Sequence, residues 1–342
     1  MPAPATPTRE FVTGLPKAEL HVHLEGTLEP ALKLKLAERN GIDIGQRTVE
    51  EVEATYEFDS LTSFLAVYYP AMRVLNEEQD FYDLAHAYLE RAAADGVRHV
   101  EMFFDPQAHT SRGVPFEAVV AGYHRAAVDG SQLGIDADLI MCFVRDHSVE
   151  SAEETLEASL PFQEWIIGVG LDSDERGNPP EKFASLFARA REAGYRLTMH
   201  CDIDQVGSIE NIRTVLQDIR TDRIDHGTNV VEDPSLVDEL RARGIGLTCC
   251  PISNRFVTND MKAREIADLL RSGVRVTVNS DDPAYFGGYV AENYLALAEA
   301  AGLTSAEVAT LAENSFVISW LDDGRRAGYL DEINRFVDQF TG

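Results

Sequence analysis

Eight β-rich runs alternate with helical stretches along this chain, and that alternation constrains its fold more than any other feature. The first run is Glu19-Leu-His-Val-His-Leu-Glu25, closed by Gly26-Thr27. It is followed by Val97–Phe104, Ala137–Val144, Ile166–Leu171, Arg196–His200, Arg223–His226, Ile245–Cys249 and Arg275–Asn279. Between them Phe81, Leu84, Ala85, Tyr88, Leu89 and Ala92 keep the spacing of a helix with one buried face, ended by Gly96. Phe183, Leu186, Phe187 and Ala190 do the same before Gly194, and Thr304 with Glu307 reads as a capping box. Eight β-then-α units predict an α/β fold, a (β/α)8 TIM barrel. A doubly wound sheet is the alternative, but neither GxGxxG nor a GKS/T turn is present to make it a nucleotide fold. The interval from Leu24 to Val97 is too long for one crossover helix. A helix opened by Thr27 and Pro30 and another over Leu61–Leu75 predict a helical insertion after strand one, covering the barrel mouth.

With 342 residues the chain can bury one large core, and the expected organisation is a flexible tail over 1–14 followed by a single domain over 15–342. Acidic residues outnumber basic ones, 58 to 30, for a net charge of −28. Such a surface repels DNA, RNA and anionic lipid, so no nucleic-acid or membrane partner is expected. No apolar run reaches the length of a membrane span, and the start lacks the apolar core of a signal peptide. Cys142, Cys201, Cys249 and Cys250 form no CxxC pair, which fits a reducing cytoplasm.

Barrel enzymes carry their chemistry at the C-terminal ends of the strands. His21 and His23 close the first run, and residues two apart on a strand share a face. His200 closes the fifth run, His226 the sixth, and Asp281 and Asp282 follow the eighth. Each histidine alone reads as core filling; together they predict a metal site. Three imidazoles and a carboxylate suit Zn2+ with one position left for water, whose pKa the metal lowers to about 7. The fourth run, ending Gly168-Val-Gly-Leu-Asp172, has no lysine to bridge two metals, so one Zn2+ per chain is expected. His226 is then free to orient the water, Asp281 to bind the metal and Asp282 to bond a substrate.

His21-Val-His-Leu-Glu-Gly26, Arg223-Ile-Asp-His-Gly227 and Asn279-Ser-Asp-Asp-Pro283 resemble the signatures of the adenosine/adenine deaminases, zinc barrels of the amidohydrolase class. The resemblance runs from about Leu15 to Phe316. It implies a small aminopurine substrate, attacked at C6 by zinc-activated water with loss of ammonia. It implies His21, His23, His200 and Asp281 as zinc ligands, His226 as the residue that positions the water, and Asp282 as the partner of purine N7. Glu25 stands where adenosine-specific members carry Asp to serve the ribose, and its extra length reaches into ribose space. Gly26-Thr-Leu-Glu-Pro30, Gly170-Leu-Asp-Ser173 and Asp282-Pro-Ala-Tyr-Phe-Gly-Gly288 look like the adenine branch, with Ser173 beside purine N3. Phe103, Phe104, Tyr285 and Phe286 are candidate walls for a flat ligand.

One position departs from the family. Three residues after the metal histidine the family has Glu, the proton donor to ring nitrogen N1; here His200-Cys-Asp-Ile-Asp204 places Ile203 there. Attack at C6 needs N1 to gain a proton, and Asp202 or Asp204 is the candidate source. The expected function is hydrolysis of adenine to hypoxanthine and ammonia. The alternatives are an N6-substituted adenine or another aminopurine derivative, adenosine included, and a zinc-bearing purine-binding protein without catalysis.

Overall fold

The computed structural model describes residues 6–201 and 205–341. Nine strands lie among them: β1 Lys17–His23, β2 Val97–Phe104, β3 Asp136–Val144, β4 Ile166–Asp172, β5 Arg196–Leu197, β6 His200–Cys201, β7 Arg223–His226, β8 Gly246–Cys249 and β9 Val276–Val278. All neighbouring pairs are parallel, β1 to β5 in one sheet and β6 to β9 in a second. β5 and β6 are the two halves of the expected fifth strand. Across the break, Thr198 N donates to Val169 O (3.0 Å) and Asp225 N to Met199 O (2.9 Å). At the opposite seam, Asp281 N donates to His21 O (3.1 Å) and His23 N to Asp281 O (2.9 Å). These bonds join the two sheets into a barrel ring.

Helices cover the outside as the apolar spacing requires. The helix Glu78–Ala94 buries Phe81, Leu84, Ala85, Tyr88, Leu89 and Ala92. The helix Ala184–Ala193 ends at Gly194, whose φ of 101° is a left-handed cap. Thr304 and Glu307 form both bonds of a capping box. The insertion holds helices Pro30–Arg39, Val49–Glu53 and Leu61–Ala71, then a 3-10 turn Met72–Val74. The tail expected over 1–14 is not frayed at its end: Arg9–Gly14 is helical, Thr8 caps it, and buried Phe11 packs on Phe336 and Phe340. Two apolar side chains in that turn gain more by burial than they lose in chain freedom.

β1 carries a bulge. Between the pairs Glu19↔Val100 and Val22↔Met102 it advances three residues to the partner's two. Alternation therefore changes parity. Glu19 bonds Tyr88 on a covering helix (2.6 Å) and Ser280, while His21 packs on His200 and His226, side chains of the strand-end site.

Below the histidines the barrel is filled by Phe103, Ile140 and Cys142, with Ile167 and Trp320 against them. Gly168 makes room for Trp320: a Cβ there would lie 2.3 Å from its ring. At this level fully buried Arg223 meets fully buried Glu101 at 2.5 Å, and Glu101 also takes the Trp320 amide and faces His99. Burial pushes the Glu101 carboxyl up, but Arg223 and His99 outweigh it and hold it at about 2, against an ordinary 4.5. Its folded value lies below its unfolded value, so the stabilisation is present above pH 4.5 and is lost as pH falls toward 2. The expected result is that the stability gap between wild type and Glu101→Gln, from urea unfolding of metal-free protein, narrows by roughly 3 kcal/mol from about pH 5 to about pH 2. A gap independent of pH over that window contradicts the assignment.

Candidate active site

His21 and His23 sit at the end of β1, His200 opens β6, His226 ends β7, and Asp281 lies three residues beyond β9. All five converge. His21 Nε2 is 3.1 Å from Asp281 Oδ1, His23 Nε2 is 3.1 Å from His200 Nε2, and His23 Nε2 is 3.4 Å from Asp281 Oδ1. A tetrahedral zinc at about 2.0–2.1 Å from each ligand spaces its ligand atoms by roughly 3.3 Å. Nitrogens of His21, His200 and His226 and an oxygen of Asp281 all lie within 4.8 Å of one another. His226 stands a little back, its Nε2 3.8 Å from Asp281 Oδ2. Buried imidazole nitrogens and a carboxylate oxygen gathered at this range could hold a metal ion. Burial, with His21 beside it, drives His226 down to about 4 and keeps it neutral at pH 7; burial and the neighbouring histidines drive His200 down as well. Burial favours the neutral Asp281 carboxyl, but the imidazoles of His21 and His226 outweigh it and hold it well below the usual range.

The backbone is bent to make this point. Ser173, His226 and Asp281 have φ of 74°, 56° and 64°, three of the six positive-φ residues other than glycine among those described. Each costs of order 1–3 kcal/mol, and such strain collects where a site demands a direction.

A layer of carboxylates and hydroxyls beneath the metal point orients the rings. His21 Nδ1 is 2.9 Å from Thr248 Oγ1, which donates to Asp225 Oδ1 (2.8 Å). Thr198 Oγ1 donates to Asp225 Oδ2 (2.6 Å), and His200 Nδ1 lies 3.6 Å from the same oxygen. His23 Nδ1 lies 3.5 Å from Asp172 Oδ2. With the second ring nitrogen directed at an acceptor, Nε2 is left for the metal. Neither Asp225 nor Thr248 is marked by sequence reading, although Arg223 and Asp225 are polar residues two apart on a buried strand, the same signal that His21 and His23 give.

A cavity of ≈ 70 Å³ opens on these groups. His23, His200, His226, Asp281, Asp282, Asp105, Asp172 and Ser173, with Ser253 and Asn254, form its polar wall. The insertion supplies the apolar one, Leu61, Phe64, Leu65, Tyr68 and Tyr69, with Phe286 and Val257 opposite. Of the four aromatic candidates only Phe286 lines the cavity; Phe103 packs on the His21 and His23 rings (5.0 and 5.1 Å), Phe104 on Tyr123, and Tyr285 on Tyr56. Ser173 Oγ accepts from Tyr69 OH (2.9 Å), tying the helix Leu61–Ala71 to the barrel rim. Glu25 is fully buried behind the cavity wall: Oε1 takes His109 Nε2 (2.9 Å), Tyr123 OH (3.0 Å) and Asp105 N (3.4 Å). Asp202 and Asp204 lie outside the described residues.

Gly26 has one physical reason to be glycine. A Cβ there would fall 2.0 Å from Asp282 Oδ1 and 2.7 Å from Asp282 Cα. Gly26→Ala must displace Asp282, and a misplacement near 1 Å of a substrate-contacting residue costs about 10²-fold in kcat/KM, which is the result expected if Asp282 bonds the substrate. Unfolding midpoints with zinc bound distinguish that outcome from simple loss of the fold; an unchanged kcat/KM means Asp282 does not touch the substrate.

Comparison with known proteins agrees with this geometry. The family model described as Adenosine deaminase matches residues 16–336. The chain is 49% identical over 329 residues to an adenine deaminase of Acinetobacter baylyi, spanning 95% of this chain and 98% of that one. The crystal structure of an adenine deaminase from Arthrobacter aurescens superposes with a TM-score of 0.91 at 46% identity, over 95% of this chain and 99% of that one. A Burkholderia ambifaria amidohydrolase with bound zinc superposes at 0.87 and 28% identity, over 99% and 98%. Barrel, strand-end histidines and sequence agree over nearly the whole length: this chain belongs to the adenosine deaminase family.

Proposed function

We propose that this protein is a zinc-dependent adenine deaminase, one Zn2+ per chain, converting adenine and water to hypoxanthine and ammonia. The observation that carries this reading is the meeting of His21, His23, His200 and Asp281 at ligand spacing on the floor of a narrow cavity, in a chain nearly half identical to proteins named adenine deaminases. Zinc held by those four side chains supplies the Lewis acidity that makes water a nucleophile at neutral pH. The neutral His226 imidazole accepts the water's proton and aims its oxygen at C6. Asp282, whose carboxyl is pushed up by burial and by Asp281, is matched to purine N7, and Ser173 to N3. Asp202 or Asp204 delivers the proton to N1, so one of Asp202→Asn and Asp204→Asn should lower kcat by about 10²–10⁴-fold and the other should not. Two unaffected variants remove both from the role.

The protein acts as one domain on a small molecule, in the cytoplasm. Among the described residues no helix is long and apolar enough to cross a membrane, and the charge of −28 opposes a polyanionic partner. Glu25 is held behind the cavity wall by His109 and Tyr123, so the preference for base over nucleoside rests on the likeness to proteins named adenine deaminases. Ammonia release from adenine, adenosine and N6-alkyl adenines tests the substrate: adenine is turned over fastest. Faster turnover of adenosine or of any N6-alkyl form contradicts the reading, and binding of adenine without ammonia contradicts catalysis.

A further inference from the structure

Adenine and adenosine differ at one hydrogen-bonding atom of the ring system. The free base carries an N–H on its five-membered ring, at N9, where the nucleoside carries a sugar. A buried cavity that takes the base must offer that N–H an acceptor or leave it stripped of water with no partner. Resting on the adenine reading above, the geometry points to Asp105 as that acceptor and so as a specificity-determining residue.

The cavity wall holds four carboxyl groups, Asp105, Asp172, Asp281 and Asp282. Asp281 is engaged by His21 (3.1 Å) and Asp172 lies at 3.5 Å from His23 Nδ1. Asp282 is matched to N7. Glu25, the other acid of this corner, does not line the cavity, and its Oε1 already takes three donors. Asp105 is only 1% exposed, and its Oδ1 has no hydrogen-bond partner. Asp172, Asp282 Oδ1 and Asn254 Oδ1 in the same wall share that state, but Asp172 is turned to His23 Nδ1 and to Asp105, Asp282 is matched to N7, and Asn254 lies on the separate helix Pro251–Thr258. A buried oxygen without a donor, in a cavity wall, is a place where a ligand N–H is missing.

Its position fits. One ligating atom each of His23, Asp105 and Asp172 lie within 4.8 Å of one another. Asp172 faces His23 Nδ1, the ring edge turned away from the metal point. Asp105 thus lies beside Asp172 and His23, in the wall of the same cavity. An aspartyl oxygen accepts from N–H whether the carboxyl is ionised or neutral. Asp105 also follows directly on β2, a strand-end position of the kind that carries the other site residues.

The test compares adenine with 9-methyladenine, which keeps every other polar atom of the base. Zinc-loaded wild type, Asp105→Ala and Asp105→Asn are assayed for ammonia release with both. In Asp105→Ala, kcat/KM for adenine falls about 10²-fold while that for 9-methyladenine changes less than about 3-fold, so discrimination between the two collapses. Asp105→Asn keeps a carbonyl acceptor and recovers adenine turnover to within about 10-fold of wild type. Unaltered adenine turnover by Asp105→Ala overturns this inference alone. So does a rise in 9-methyladenine turnover with adenine unchanged, which would mean exclusion by bulk. No ammonia from adenine with wild-type protein overturns the adenine reading itself, and this inference with it.

Discussion

Replacing His226 with alanine is expected to lower kcat for adenine by about 10⁴-fold, the upper range for loss of a positioned general base, while zinc content stays at one per chain. The geometry makes this a sharp prediction because two histidines compete for one role. His23 Nε2 lies 3.4 Å from Asp281 Oδ1 and 3.1 Å from His200 Nε2, at ligand spacing. His226 Nε2 lies 3.8 Å from Asp281 Oδ2, set back by the left-handed turn that ends β7. Burial keeps the imidazole unprotonated at pH 7, as a base must be. His23→Ala, by contrast, should lose both zinc and activity. If His226→Ala emerges without zinc and His23→Ala retains it, the two roles are exchanged.

Asp225→Ala should produce the largest combined loss of affinity and stability. This fully buried carboxylate does not line the active-site cavity. It accepts from Thr198 and Thr248, lies 3.6 Å from His200 Nδ1 and 3.9 Å from His21 Nδ1, and has Arg223 Nε at 3.9 Å. Its loss frees two metal-binding rings to rotate, and such outer partners are typically worth about 10–100-fold in metal affinity. It also leaves two buried hydroxyls without their acceptor and takes one counter-charge from Arg223, for about 3 kcal/mol of stability in the metal-free protein. Zinc competition with a chromogenic chelator measures the first effect and urea unfolding the second. A variant that binds zinc as tightly as wild type would show that the rings do not depend on Asp225 for their orientation.

The parts of this site that are legible in the chain are those where strand periodicity and strand ends speak directly. His21 and His23 two apart, His200 and His226 at the ends of short β runs, and Asp281-Asp282 after the last run all come together in the structure. What is not legible depends on contacts between distant segments. The bulge in β1 is invisible in a run where every residue is buried, and it turns Glu19 away from the interior face that His21 and His23 share. Asp225 and Thr248 look like strand filler until the rings they orient are placed over them. Tyr68 and Tyr69 read as one more apolar helix face, and only the docking of the insertion turns them toward the cavity. Glu25 was expected at the ribose space; His109 and Tyr123, each more than 80 residues away, hold it behind the wall. Asp105 obeys the same strand-end rule as the histidines and could have been found by it.

The most direct measurement is a zinc titration. Protein stripped with a chelator and dialysed is titrated with Zn2+ while ammonia release from adenine is followed. Activity should be near zero without metal, rise linearly, and break sharply at one equivalent per chain. Full activity in the stripped protein, a break at two equivalents, or no activity at any zinc level would each contradict a single metal held by His21, His23, His200 and Asp281.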